Sequence, residues 1–478
     1  MLGFLLGQRQ APQRVPTDQV VPAGFFDDTI IFRTFVMYTL FVFDDVLDVA
    51  KLRDSLARVV SRPGWRKMGA HLRSNALGEL EHHIPQSFTE DRPAIGFDHQ
   101  DWSGVDAKDH PVASRIPHPP EDGKPAIVGN PDDLTDLYLG PNVPKCADDY
   151  LYSDRPELGL RVVSFKSSTI VVIHWIHLAF DAMAKHNLLN AWKLMLEGRE
   201  DEIPRPLPPD SYVLESVGKT PTEPHKLANI HLSIPGLVAW GLRNIYNLAL
   251  TSKEIRMLCI PEEFLSKLRN QALEELATKT KESGDEGTPF LSEGDVLLAW
   301  MTRLAIVAIQ QAYEWRRALK DTIPADRPFL GNCVGFLTAL VPAKEIFEKP
   351  LGYLASQIRK AIIEQGTTEQ VEAYASLVRM DPKNKAPSLF GETSMYLMMY
   401  TNWTRAGMFE TDLSAAAVKP RNMPLRPTYV QNVQGPYNFN DGLTIAGKDS
   451  KGNYWISGYR AKGLWGMMEK ELAERNEA

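Results

Sequence analysis

Apolar residues follow two rhythms along this chain. Residues 28–43 are dense in Ile, Phe, Val and Tyr and predict one or two strands. Over 48–60 the apolar positions fall at 49, 52, 56, 59 and 60, which is helical spacing. Residues 66–72 and 80–84 predict strands. The stretch 86–144 is dense in Pro, Asp, Gly and His and predicts a long irregular surface excursion. Residues 162–165 and 168–176 predict two further strands. A helix over 181–197 follows, with Leu188, Leu189 and Trp192 on its apolar face.

The second half alternates in the same way. Residues 198–224 are rich in Pro and acidic side chains and predict a crossover, and 235–250 predict an amphipathic helix over the core. Then come a strand at 254–260, a helix at 262–278, a loop at 279–288 and a long helix at 292–319. Ser292 is its expected N-cap, with Glu293 and Asp295 in the first turn. Strands are predicted at 336–341, 396–403, 429–431, 442–446 and 453–459, and helices at 350–365 and 464–475. The expected division is a domain at 1–210, a linker at 211–230 and a domain at 231–478.

Composition narrows the function classes. A 478-residue chain exceeds one ordinary core. The net charge of -7 argues against a dedicated nucleic-acid binder. Cys146, Cys259 and Cys333 are widely spaced and imply neither a metal site nor a disulfide framework, which fits a cytosolic protein. The apolar run at 35–43 is far below the roughly 20 residues of a membrane helix. The N-terminus is too short in apolar residues for a signal peptide, so a soluble chain is expected.

The candidate chemistry centres on His177. An apolar, β-branched run ends there and a helical pattern starts at Asp181. Histidine titrates near neutrality, so an imidazole at such a junction can take a proton from a hydroxyl. The pattern His-x-x-x-Asp occurs twice, at His177/Asp181 and His118/Asp122. The second lies among prolines and reads as chance. Asp181 suits helix capping or pairing with an arginine better than proton transfer. His174 alternates to the other strand face and reads as packed. No Gly-x-Ser-x-Gly, phosphate loop, dinucleotide fingerprint or His-Glu-x-x-His is present. Asn402-Trp403-Thr404 matches a glycosylation sequon, unused without secretion.

Four stretches in order resemble BAHD-type acyltransferases, closest to the fungal branch that includes the trichothecene acetyltransferases. They are His177–Asp181, the 291–300 helix start, Leu330-Gly331-Asn332-Cys333-Val334-Gly335, and Thr401-Asn402-Trp403 followed by the loop from Phe409 to Ser414. The resemblance implies an α/β fold of two chloramphenicol-acetyltransferase-like domains, each a mixed sheet with helices, and a channel between them. It implies acyl-CoA as co-substrate, no permanently bound cofactor, a small-molecule acceptor and a monomer. His177 would be the general base and Asn402 the oxyanion donor. Asp181 would pair with Arg316 or Arg317. Lys419 and Arg421 would lie near the CoA phosphates, with Asp412 and Trp403 structural. Two departures stand out: Ala182 replaces the glycine usual after the motif Asp, and Asp412-Leu413-Ser414-Ala415-Ala416 replaces Asp-Phe-Gly-Trp-Gly. The altered loop keeps a CoA-independent cyclase or isomerase, or a ligand-binding homologue, as alternatives.

Overall fold

Two mixed sheets form the molecule, and the chain crosses between them. The computed structural model describes residues 9–283, 289–305, 308–435 and 441–477. A five-stranded sheet runs in the order Tyr429–Gly435, Val36–Phe43, Thr169–Ile176, Leu158–Phe165, Gly96–Trp102. A seven-stranded sheet runs Val334–Ala339, Ala308–Glu314, Leu397–Asn402, Gly442–Lys448, Tyr454–Ala461, Lys253–Ile260, Ala126–Gly129. A small sheet of Gln19–Pro22, Leu80–Ile84 and His71–Ser74 flanks them. The expected fold class, two lobes of mixed sheet with flanking helices, is the architecture found.

Each large sheet borrows an edge strand from the other half of the chain. Tyr429–Gly435 pairs with Val36–Phe43, and Ala126–Gly129 pairs with Lys253–Ile260. The two halves are therefore laced together by main-chain hydrogen bonds as well as by packing.

Burial explains the sequence pattern. Val36–Phe43, Leu158–Phe165 and Thr169–Ile176 are buried at every position. A strand covered on both faces carries no polar alternation, so these segments read as continuous apolar runs. Helices Val49–Ser61 and Ala182–Leu196 pack together, and Trp192 donates its indole N–H to Ser55 Oγ at 2.8 Å. In the other lobe, Glu293–Ala305 and Leu351–Gln365 bury Leu297, Trp300, Leu354 and Ile358. Ser292 and Asp295 close a reciprocal cap: Ser292 N donates to Asp295 Oδ2 at 2.7 Å, and Asp295 N to Ser292 Oγ at 3.2 Å.

Several elements differ from expectation. The long helix predicted over 292–319 stops at Ala305, and Ala308–Glu314 is a strand. It pairs with Val334–Ala339 on one side and Leu397–Asn402 on the other, so two ladders override a helix-compatible sequence. The excursion at 86–144 contains Gly96–Trp102 and Ala126–Gly129, edge strands too polar or too short to show alternation. Trp65–Gly69 is a 3-10 turn that precedes the strand His71–Ser74. Thr368–Arg379 is a helix that was not predicted; Thr367 caps it. The helix from Glu262 continues to Ser283, and 284–288 lie outside the described residues.

Candidate active site

The strand Thr169–Ile176 delivers His177 to a turn before the helix Ala182–Leu196. His177 N donates to Phe35 O at 2.8 Å, which anchors the turn to the neighbouring segment. Its ring stacks on Phe32, with centroids 4.2 Å apart and planes 10° from parallel. Nδ1 is buried and has no hydrogen-bond partner among the described residues. A proton on Nδ1 leaves the Nε2 lone pair free on the cavity side. Burial pushes the imidazolium down from 6.5, against smaller opposing effects from its own carbonyl, Asp181 and Asn332. The ring is thus neutral, and able to accept a proton, at neutral pH.

Asp181 does not reach that imidazole as a proton partner; its oxygens are occupied. Oδ1 caps the helix by accepting from Met183 N at 3.1 Å and Ala184 N at 2.9 Å. Arg316 grips the carboxylate with both terminal nitrogens, at 2.7 and 3.1 Å. Cys333 N adds a bond to Oδ2 at 3.0 Å. Of the two arginines considered from sequence, Arg316 is the partner. Its Nη2 also donates to the carbonyls of Phe329 and Gly331. Asn332 completes the brace: Nδ2 donates to Asp27 Oδ1 at 2.9 Å and to the carbonyls of His177 and Leu178 at 3.0 and 3.2 Å. The Gly-Asn turn at 331–332 therefore holds the His177–Asp181 turn from the other lobe. A Cβ at Gly331 would lie 2.7 Å from the Phe329 ring, so a larger residue there would have to displace that ring.

His177 opens on a cavity of about 970 Å³, part of it open to solvent, between the two large sheets. Met37, Asn432 and Val433 line it from the five-stranded sheet, and Met399, Thr401 and Ser457 from the seven-stranded one. Phe32 and Phe35 add to a largely apolar wall. A second cavity adjoins it through Asp181, Ala182, Thr401 and Trp403, and reaches Ser292, Glu314 and Arg405. The two cavities thus share part of their lining between the two sheets.

Other residues singled out in the sequence fall in different places. Asn402 lies on the adjoining cavity and not on that of His177, and its Oδ1 accepts from Thr404 N at 3.0 Å. Strand alternation turns it to the side opposite Thr401. Thr401 is the residue that the sequence reading missed: it faces His177's cavity, and its Oγ1 accepts from Trp403 Nε1 at 2.9 Å. The hydroxyl proton of Thr401 is then free for a ligand. Placing Trp403 in register would have given this alternation. Asp412 Oδ1 accepts from Ser414 N and Leu425 N, both at 2.9 Å, and so ties the two ends of its loop. Lys419 and Arg421 are exposed and away from both cavities, and Arg421 pairs with Asp45. His174 is buried, with burial pushing it down to about 3; His118 is exposed in an irregular segment. Among the described residues, no cluster could hold a metal ion.

No protein-family model matches the chain. "Acetyltransferase adrJ" of Penicillium rubens is 34% identical, with 98% of each chain covered. "Acetyltransferase sphE" of Aspergillus fumigatus is 32% identical, again over 98% of each. The chain belongs to this family of fungal acyltransferases. One relative in it, 35% identical over 97% of each chain, carries the name "Transcriptional regulator calD" of Penicillium decumbens. The fold is shared with F. graminearum TRI101 complexed with coenzyme A and T-2 mycotoxin, at TM-score 0.69 and 14% identity over 95% of this chain and 98% of that one. It is also shared with vinorine synthase, at TM-score 0.57 and 14% identity over 97% of this chain and 94% of that one.

Proposed function

We propose that this chain transfers an acyl group, acetyl in the first instance, from acyl-CoA to a hydroxyl of a small secondary metabolite. The observation that carries this reading is His177: its Nδ1 is buried and its ring lines a cavity between two sheets. Nε2 takes the proton of the acceptor hydroxyl, and the resulting oxygen attacks the thioester carbonyl directly. The carbonyl electrons move to oxygen, the tetrahedral species collapses, and the proton on His177 passes to the leaving thiolate. Thr401, on the same cavity, takes the oxyanion-donor role that the sequence placed on Asn402. Asp181 acts through Arg316, holding the turn. The names of adrJ and sphE support acetyl transfer, and the apolar wall suits a hydrocarbon-rich acceptor.

Lys419 and Arg421 are proposed to meet the CoA phosphates at the surface. The functional protein is proposed to be a cytosolic monomer; among the described residues no helix is long and apolar enough to cross a membrane. A regulatory or CoA-independent role, suggested by the calD name and the altered Asp412 loop, is the second reading. Titration calorimetry with acetyl-CoA separates the two, followed by mass spectrometry of fungal metabolites incubated with a panel of acyl-CoAs. Saturable binding and an acylated product support the transferase. No binding to the wild-type protein overturns it.

A further inference from the structure

Lys185 is the one feature near the site that this chemistry leaves unused. It lies one turn into the helix that Asp181 caps, and none of its surface is exposed. No carboxylate pairs with it among the described residues, and burial alone pushes its ammonium well below the ordinary lysine range. Its Nζ instead lies over the Trp403 ring at 4.4 Å and the Trp175 ring at 5.1 Å. It donates to Thr39 Oγ1 at 2.8 Å and reaches Met408 Sδ at 3.1 Å. Burying an unpaired amine costs stability that a methionine of similar length would not. Such a group makes sense where its hydrogen bond has a task.

That bond continues toward the cavity. Thr39 and Asn432 are cross-strand partners, and Thr39 Oγ1 donates to Asn432 Oδ1 at 2.8 Å. Because Lys185 fills the acceptor side of the Thr39 hydroxyl, the hydroxyl proton goes to Asn432. That fixes the amide with Oδ1 toward Thr39 and Nδ2 on the other side. Among the described residues, Nδ2 has only Met408 Sδ, at 3.7 Å, as a partner. Asn432 lines the same cavity as His177 and Thr401. Neighbouring hydroxyls there are already committed: Ser457 Oγ donates to Asn432 O at 3.3 Å and Tyr459 OH to Gln434 O at 2.9 Å. Asn432 is thus a donor backed by a buried chain, with an N–H to spare.

We propose that Asn432 is a second donor to the thioester carbonyl oxygen, opposite Thr401, and that Lys185 is a positioning residue acting on it through Thr39. This rests on the acyl-CoA reading above. A carbonyl within reach of a nucleophile deprotonated by His177 must sit in this cavity. One donor from each sheet would then meet its oxygen as charge develops.

The test uses the full chain with acetyl-CoA labelled with ¹³C at the carbonyl. Infrared difference spectra report the bound carbonyl stretch, and calorimetry reports affinity. Asn432→Leu should move the band to higher wavenumber while acetyl-CoA still binds within about tenfold, the factor worth 1.4 kcal/mol. Thr39→Val and Lys185→Met should move it the same way by less. Lys185→Met should melt no lower than the wild type, which a merely structural lysine would not allow. An unmoved band in folded Asn432→Leu overturns the donor role. A moved band there with unmoved bands in Thr39→Val and Lys185→Met overturns the positioning role. Failure of the wild type to bind acetyl-CoA overturns the parent reading and this one together.

Discussion

The turn at His177–Asp181 and the loop at Asp412–Leu425 both match family stretches in order, yet they are built differently. The first is held by Arg316, Asn332, Asp27 and main-chain N–H groups from distant segments. The second is tied by one Asp412 oxygen to two N–H groups and by main-chain bonds to the 46–48 segment (Asp48 N to Ala416 O at 2.8 Å, Val418 N to Val46 O at 2.9 Å), and Val418 to Arg421 are exposed. The difference teaches where substitution is tolerated. A site gripped by many partners from both lobes fixes its residues. A loop held through main-chain atoms can exchange a phenylalanine, two glycines and a tryptophan for Leu413, Ser414, Ala415 and Ala416 without disturbing the first.

The sharpest break of this comparison is His177→Ala. It should lower kcat/KM by roughly 10²–10⁴-fold with the melting temperature unchanged, in a steady-state acyl-transfer assay. Next comes Asp181→Ala, which removes the nearer carboxylate of the buried Arg316 guanidinium and leaves it only Glu314 at 3.5 Å. Chemical denaturation should show a loss of about 3–5 kcal/mol. A loss below 1 kcal/mol would mean that the turn is not braced as described.

Acid should act on two buried histidines, one on the strand that leads to His177 and one on the small sheet, before it reaches the second region. Burial pushes His174 down to about 3 and His71 down to about 4. The unfolded chain protonates both near 6.5, and the folded one does not. Stability is therefore full above 6.5 and falls as pH drops, by about 1.4 kcal/mol per unit for each group, until the folded value is reached. Asp412 works in the same direction at lower pH: its carboxyl is held below 3.8 by the bonds from Ser414 and Leu425, despite some burial. Its contribution is lost only as pH falls below the carboxylate range. Thermal melts from pH 7 to 4 check this; a flat profile would contradict it. In the same window the acid limb of kcat/KM should lie below 6.5, because His177 is pushed down.

The smaller effects belong to the second loop. Asp412→Ala should cost about 1 kcal/mol, as for a lost cap. Arg421→Ala should cost less than about 1 kcal/mol, since its pair with Asp45 is exposed. A rise in the KM for acyl-CoA in Arg421→Ala, with kcat unchanged, would support phosphate contact.

Much of this molecule was fixed locally. Strands covered on both faces announce themselves as apolar runs, and a helix that starts at Asp181 after such a run places His177 at its junction from sequence alone. Other features had no local signal. Ala308–Glu314 is a strand because two ladders claim it, and Gly96–Trp102 because one edge was open. The choice of Arg316 over Arg317, the turning of Thr401 rather than Asn402 toward the base, and the chain from Lys185 to Asn432 all depend on which face meets which across two sheets. Side-chain chemistry sets what a residue can do; which partners it meets is decided by long-range pairing, and no window along the chain contains both.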